Sequence, residues 1–189
     1  RNALAAAALP QPPYACVGSF ADVGDALDAV RLPAVLKPVD SGGQRAVFRI
    51  DTRAELERDL ADAIAESPTD EAILEEFVEG HEGVYDTLTI DGRVAHEFAL
   101  HYYPNVLEAM RTRWISPQIV ATNRVHEPGY DEVKQMGQRV THALGIGTTA
   151  THMEWFFGPK GLRFSEIGCR PPGVGAWDLY SAGNDIDIY

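Results

Sequence analysis

The chain has 189 residues, of which 45% are hydrophobic and 23% charged. These are the proportions of a folded chain rather than a disordered one, and the length suits one ordinary domain or two small lobes. The formal net charge of −12 argues against non-specific binding to nucleic acid or an anionic membrane, both of which need basic surface. It leaves room for a small anionic ligand held by a local cluster of Lys, Arg and backbone N–H groups. Two cysteines, Cys16 and Cys169, are too few for a disulfide framework, so a reducing, cytoplasmic setting is expected. No apolar run is long enough to span a membrane. The chain opens on Arg1 and stops at Tyr189 after an acidic stretch, and is expected to be a piece of a longer protein, truncated at both ends.

Residues 1–9 read as a short helix ended by Pro10, Pro12 and Pro13, and residues 14–17 as a short strand. Residues 21–31 carry Val23, Ala26, Leu27 and Val30 at helical spacing. Residues 34–39 form a short apolar run broken only by Lys37 and followed by Asp40, Ser41, Gly42 and Gly43, the pattern of a buried strand entering a glycine loop. A strand resumes over 46–50. Thr52 and Glu55 have the spacing of a capping box ahead of a helix bearing Leu56, Leu60 and Ile64, and residues 73–78 make another strand. Residues 84–90 and 93–100 are two strands joined at Asp91-Gly92, a strong hairpin signal. Residues 101–116 read as irregular, with His101, Arg111 and Arg113. A strand is expected over 117–122 and a helix over 131–144, ended by Gly145 and Gly147. Residues 148–157 and 162–168 are strands around Gly158-Pro159-Lys160-Gly161, and the tail from Trp177 starts helical.

A hairpin centred on Lys160 sets Glu154 directly across from Glu166, His152 across from Gly168, and Ala150 across from Arg170. Directly opposed side chains have Cβ atoms about 4.5–5.5 Å apart, where like charges repel. Something must offset that: a proton on one carboxyl, a basic side chain between the two, or a shared divalent cation. Hard cations such as Mg²⁺ take oxygen ligands and commonly bind through one or two carboxylates plus substrate phosphates. The plain alternative, a solvated acidic face, sits poorly with the apolar contexts HMEWFF and FSEIG. A fixed Arg170 guanidinium just beyond the pair suits a phosphoryl or acyl-phosphate group, or a salt bridge to one of the glutamates.

Lys37 in a buried strand is costly unless it meets an anion, and the N–H groups of Ser41, Gly42 and Gly43 could cover phosphates. The loop is neither a Walker A loop nor a dinucleotide GxGxxG. Glu75, Glu76, Phe77 and Val78 lead into a glycine turn whose backbone could read an adenine edge. Glu82 and Asp86 follow as candidate partners for ribose or metal, with an acidic surface hairpin an equal reading. Cys169 reads as a small buried hydrophobe rather than a nucleophile.

In order, VLKPVDSGG (35–43), ILEEFVEGHEGVYD (73–86), THMEWFF (151–157) and FSEIGCRPPG (164–173) resemble the motifs of the ATP-grasp superfamily, carboxylate–amine ligases similar to the L-amino-acid ligases. The resemblance implies an α+β fold of two α+β lobes with ATP between them. Residues 1–13 would be a lead-in from an N-terminal domain, 14–78 the small lobe and 79–189 the large lobe, incomplete at its C-terminus. It implies Lys37 on the α- and β-phosphates, Ser41, Gly42 and Gly43 over the phosphates, and Glu75, Glu76, Phe77 and Val78 as the adenine linker. Glu82 matches the ribose-contacting acid, Glu154 and Glu166 the acids binding Mg²⁺ (or Mn²⁺), and Arg170 the arginine steadying the transferred phosphoryl group. Many members have Asn where this chain has Gly168, which puts the metal count in doubt. The activity implied is ATP-dependent activation of a small carboxylic acid or amino acid as an acyl phosphate, attacked by an amine. A nucleotide-binding module without catalysis is the alternative. The partners implied are small-molecule carboxylate and amine substrates, not nucleic acid or membrane, and a homodimer stays open. One of His101, Arg111 and Arg113 could contact the γ-phosphate or substrate carboxylate, or all three could be ordinary surface groups.

Overall fold

A computed structural model of the chain describes residues 1–40 and 45–188. They form two compact units, Pro12–Val78 and the combination of Arg1–Gln11 with Glu79–Tyr189. The chain starts with the short helix α1 (Asn2–Ala6), which belongs to the larger unit.

The smaller unit contains β1 (Tyr14–Val17), α2 (Val23–Ala29), β2 (Ala34–Pro38), β3 (Phe48–Ile50), α3 (Arg53–Ala65) and β4 (Ala72–Glu76). Its antiparallel sheet has the order β1-β4-β2-β3. The expected capping box opens α3: Thr52 Oγ1 accepts from the Glu55 N–H, and the Glu55 carboxylate accepts from the Thr52 N–H. Such a cap contributes about 1 kcal/mol. Leu56, Leu60 and Ala63 recur on one helical face and bury with Val23, Ala26, Leu36, Ile50 and Leu74. β3 begins two residues later than expected because Ala46 sits in the left-handed region, at φ 47°, where a strand cannot run. β2 is not buried on both faces. Ala34, Leu36 and Pro38 point into the core, while Val35 and Lys37 lie on the face turned away from it.

The larger unit adds β5 (His81–Ile90), β6 (Arg93–Tyr103), α4 (Val106–Thr112), β7 (Gln118–Thr122), α5 (Asp131–Ala143), β8 (Thr149–Gly158), β9 (Gly161–Gly168) and α6 (Ala176–Asn184). The order of its antiparallel sheet is β7-β6-β5-β8-β9. Asp91 and Gly92 both have positive φ, 50° and 76°. That is the turn whose twist matches the strands it joins. The segment expected to be irregular is instead ordered: β6 runs on to Tyr103, and α4 follows. Among the described residues no helix is long and apolar enough to cross a membrane.

Strand alternation gives this sheet two faces with different work. Tyr85, Ala99, Met153, Trp155 and Phe164 pack against Leu4 of α1 and Val133, Met136 and Val140 of α5. On that face His81 Nε2 and His101 Nδ1 are 2.7 Å apart, and His101 Nε2 is 2.7 Å from the Tyr130 hydroxyl. The opposite face buries Val84, Phe98 and Leu100 against Ala176 and Tyr180 of α6, with the Phe98 and Tyr180 rings stacked at 4.5 Å. Glu82, Asp86, His152, Glu154 and Glu166 share this second face by alternation and register.

Between β8 and β9 the expected pairs His152↔Gly168 and Glu154↔Glu166 are formed, by a different route. The turn holds only Pro159 and Lys160, since Gly158 pairs with Gly161, and Trp155 pairs with Phe164. A bulge at Ser165 then shifts the register by one. The ladder ends at His152↔Gly168, so Arg170 lies beyond β9 and is not paired with Ala150.

Gly83 stands on β5 opposite Trp155, and a Cβ there would run into the indole ring. Gly83→Ala should therefore destabilise the chain by about 1–3 kcal/mol, the cost of forcing a packed ring to shift. Urea unfolding followed by Trp fluorescence measures it.

Candidate active site

The acidic face of the larger sheet is crowded. Glu154 stands on β8 between Val84 of β5 and Glu166 of β9. Glu82, two residues before Val84 on the same face, is 3% exposed. Its Oε2 accepts from the Val106 N–H at 2.7 Å, at the start of α4. Asn105 ties the same turn down: its Oδ1 accepts from the Glu82 N–H at 3.1 Å, and its Nδ2 donates to the Gly80 carbonyl at 2.8 Å. Burial, then the charge of Glu154 and more weakly that of Glu166, pushes the Glu82 carboxyl up to about 8, against the opposing pull of the Val106 N–H. Tyr102 is raised too, by burial and by Glu154, Glu82 and Asp86, with Arg170 opposing.

Asp86 is 1% exposed and turns no oxygen outward. His152 Nδ1 donates to its Oδ1 at 2.7 Å, and the Tyr180 hydroxyl donates to its Oδ2 at 2.6 Å. That corrects its reading as a partner for ribose or metal. On the other side of the ring, His152 Nε2 is 3.6 Å from Glu154 Oε1. Burial is the largest influence on His152 and disfavours its charge. The hydrogen bonds and charges of Asp86 and Glu154 together outweigh it and push the imidazole up to about 9. The ring thus stands between two of the acids.

Arg170 is exposed beyond the end of β9. Its side chain runs over Gly168, and Nη1 donates to the Pro171 carbonyl at 2.9 Å. Cys169 beside it is exposed, not buried as expected, because β9 has already ended. His101 lies on the opposite face from Glu154, in contact with His81 and Tyr130, and Arg111 pairs with Glu108 at 3.2 Å. Arg113 is the left-handed cap of α4.

In the smaller unit Lys37 Nζ meets Glu75 Oε2 at 3.2 Å, so the anion that this lysine needs is in part a carboxylate of its own sheet. The Glu76 and Phe77 N–H groups donate to the Pro13 and Pro33 carbonyls, both at 2.9 Å. The Arg49 guanidinium lies 4.5 Å from the Phe77 ring centroid. Two of the four linker amides are thus committed within the fold. Ser41, Gly42 and Gly43 lie outside the described residues.

Sequence reasoning missed Asn105, Tyr102 and Tyr180. Asn105 precedes a helix that was not expected. Tyr180 is 94 residues from its partner Asp86, a pairing that no local pattern announces.

A family model described as the ATP-grasp domain matches residues 2–184. The chain belongs to the ATP-grasp family. No curated protein matches it at a significant level. Among solved structures, the L-amino acid ligase from Bacillus licheniformis is similar at 24% identity and a TM-score of 0.70, over 93% of this chain and 40% of that one. VanG D-Ala:D-Ser ligase from Enterococcus faecalis is similar at 19% identity and TM-score 0.69, over 90% and 50%. The biotin carboxylase domain of 2-oxoglutarate carboxylase from Hydrogenobacter thermophilus, solved with MgADP, ADP and bicarbonate, is similar at 17% and TM-score 0.71, over 99% and 42%. The chain spans half or less of these relatives' lengths. At these identities the likeness establishes the ATP-grasp fold.

The Glu82 carboxyl has a consequence for stability. The folded chain keeps a proton there up to about 8, while the unfolded chain releases it near 4.5. Without a bound cation this group's contribution therefore falls as pH rises from about 4.5 to about 8, because the folded state binds more protons. Glu82→Gln keeps an acceptor for the Val106 N–H and removes the titration. Urea unfolding in chelator across that range should decline less for the variant than for the parent.

Proposed function

We propose that the chain is the ATP-grasp portion of an ATP-dependent carboxylate–amine ligase acting in the cytoplasm on a small carboxylic acid or amino acid and an amine. The carrying observation is the opposed pair Glu154 and Glu166 on adjacent strands, with Glu82 buried beside them and held in its protonated range. The two opposed carboxylates, with a third acid beside them on the same sheet face, favour a positive partner. Oxygen donors of this kind fit Mg²⁺ or Mn²⁺. Among the described residues no three His, Cys, Asp or Glu side chains close around one point, so Glu154 and Glu166 would hold the cation, with phosphate oxygens and water as the other ligands.

In this reading the smaller unit (residues 14–78) offers Lys37 and the 41–43 loop for phosphates, and the Glu75–Glu76–Phe77–Val78 linker for the base. Glu76 and Phe77 already spend their N–H groups on Pro13 and Pro33, which leaves the Val78 N–H for the adenine edge. The larger unit (residues 79–189) offers the metal acids, Glu82 at the ribose position and Arg170. A bound Mg²⁺ would neutralise charge developing on the phosphoryl oxygens. Arg170 is exposed and, among the described residues, donates to the backbone carbonyl next to it, and in this reading its guanidinium meets a phosphoryl or acyl-phosphate oxygen. The reaction demands positioning and charge neutralisation rather than a nucleophilic side chain.

Gly168 favours a second reading, because it supplies no side-chain ligand opposite His152: a nucleotide-binding module without turnover. One set of measurements separates the two. The full-length protein should release ADP and phosphate only when given both a carboxylate and an amine. Glu166→Gln should lower that rate at least about a hundredfold. Mg-ATP should raise the melting temperature of the parent and much less that of the variant. Thermal stabilisation without turnover on any carboxylate would select the binding module, and unchanged turnover in the variant would remove Glu166 from the site.

A further inference from the structure

A buried polar chain crosses the acidic face, and the ligase reading makes no use of it. It begins at the Tyr180 hydroxyl on α6, passes through Asp86 on β5 and His152 on β8, and ends at Glu154. The side chains of Asp86 and His152 are 2% and 7% exposed. Both Asp86 oxygens are occupied, one by each donor. The imidazole ring is thereby fixed: Nδ1–H must point at Asp86, which turns Nε2 toward Glu154. Across from the ring the register partner on β9 is Gly168, over which the Arg170 side chain runs. Tyr180 is itself clamped by stacking on Phe98, so the chain rests on packed groups rather than on solvent.

We propose that Tyr180, Asp86 and His152 are positioning residues that aim the Glu154 carboxylate toward Glu166. His152 stands opposite Gly168 on the neighbouring strand. This rests on Glu154 and Glu166 being the cation-holding pair. The physical argument is one of rotamer selection. A glutamate on a crowded acidic face has several rotamers open to it, and a buried ring anchored at Nδ1, with Nε2 3.6 Å from one Glu154 oxygen, limits where that carboxylate can lie. The other oxygen is then free for a cation. Groups that orient a metal ligand in this way typically govern affinity by about 10–100-fold when removed.

The test uses the full-length protein and Mn²⁺, titrated calorimetrically in the presence of ADP, with ADP affinity in chelator measured separately. His152→Gln should weaken Mn²⁺ binding about tenfold or more while leaving metal-free ADP affinity unchanged. Excess Mn²⁺ should restore turnover. Tyr180→Phe keeps the stacked ring and removes only the hydroxyl, so it should give the same shift in smaller measure, and it carries the test if His152→Gln fails to fold. His142→Gln, an exposed histidine on α5, should change neither affinity. If folded His152→Gln and Tyr180→Phe bind Mn²⁺ as the parent does while Glu166→Gln does not, the chain is packing alone and the proposal is overturned. If Glu166→Gln also binds as the parent does, it is the metal assignment itself that has failed.

Discussion

Mutual repulsion among carboxylates on one face of a β-sheet is the constraint from which the larger unit is best understood. Glu82, Asp86, Glu154 and Glu166 share the face with Val84, Phe98 and Leu100. Each is dealt with differently. Asp86 is neutralised within the fold by His152 and Tyr180. Glu82 is pushed up to about 8 and has the Val106 N–H at the start of α4 for a partner. Among the described residues Glu154 meets the far side of the His152 ring at 3.6 Å, and Glu166 lies at the exposed edge. The deep acids, Glu82 and Asp86, are held by hydrogen bonds within the fold, and Glu166 is exposed.

The two faces of that sheet divide the labour. The face under α1 and α5 is apolar and tightly fitted, with Gly83 making room for the Trp155 ring and Gly137 for Tyr85. The acidic face has less apolar packing, supplied by α6 through Ala176 and Tyr180. Tyr180 belongs to both systems at once, stacking on Phe98 and donating to Asp86. A mutation there would be read as a packing defect unless the hydroxyl and the ring are removed separately.

Much of this was legible in the sequence where the signal is local. The Thr52/Glu55 capping box, the Asp91-Gly92 turn and the helical spacing in α3 and α5 are each set by neighbours within a few residues, and each forms as the pattern says. The family motifs were legible for the same reason. What escaped depends on distant partners. α4 was hidden because its start is fixed by Asn105 and by Glu82, more than twenty residues earlier. Lys37 was read as sitting in a buried strand because an apolar run does not reveal which face a helix will cover. Cys169 was read as buried because its apolar context continues past the point where the ladder stops.

The register of the last hairpin is the case in which pattern and physics must be weighed together. A two-residue turn carried straight through would have set Glu154 across from Ser165 and Met153 across from Glu166. Glu166 would then point into the apolar core, since a one-residue slip exchanges the faces of a strand. The bulge at Ser165 prevents this. The apolar residues of β9 carry the trace: Leu162 and Phe164 are two apart, but the next inward residue, Ile167, is three further on. Strict alternation cannot put all three on one face, so an extra residue was required between them. β9 is an edge strand, and its irregular backbone is held from outside. Arg1 donates to the Ser165 carbonyl at 2.7 Å and lies 5.1 Å from the Phe164 ring centroid, while the Phe164 N–H donates to the Pro10 carbonyl at 2.8 Å. The first eleven residues belong to the larger unit for this reason. They hold in place the bulge that turns Glu166 toward Glu154.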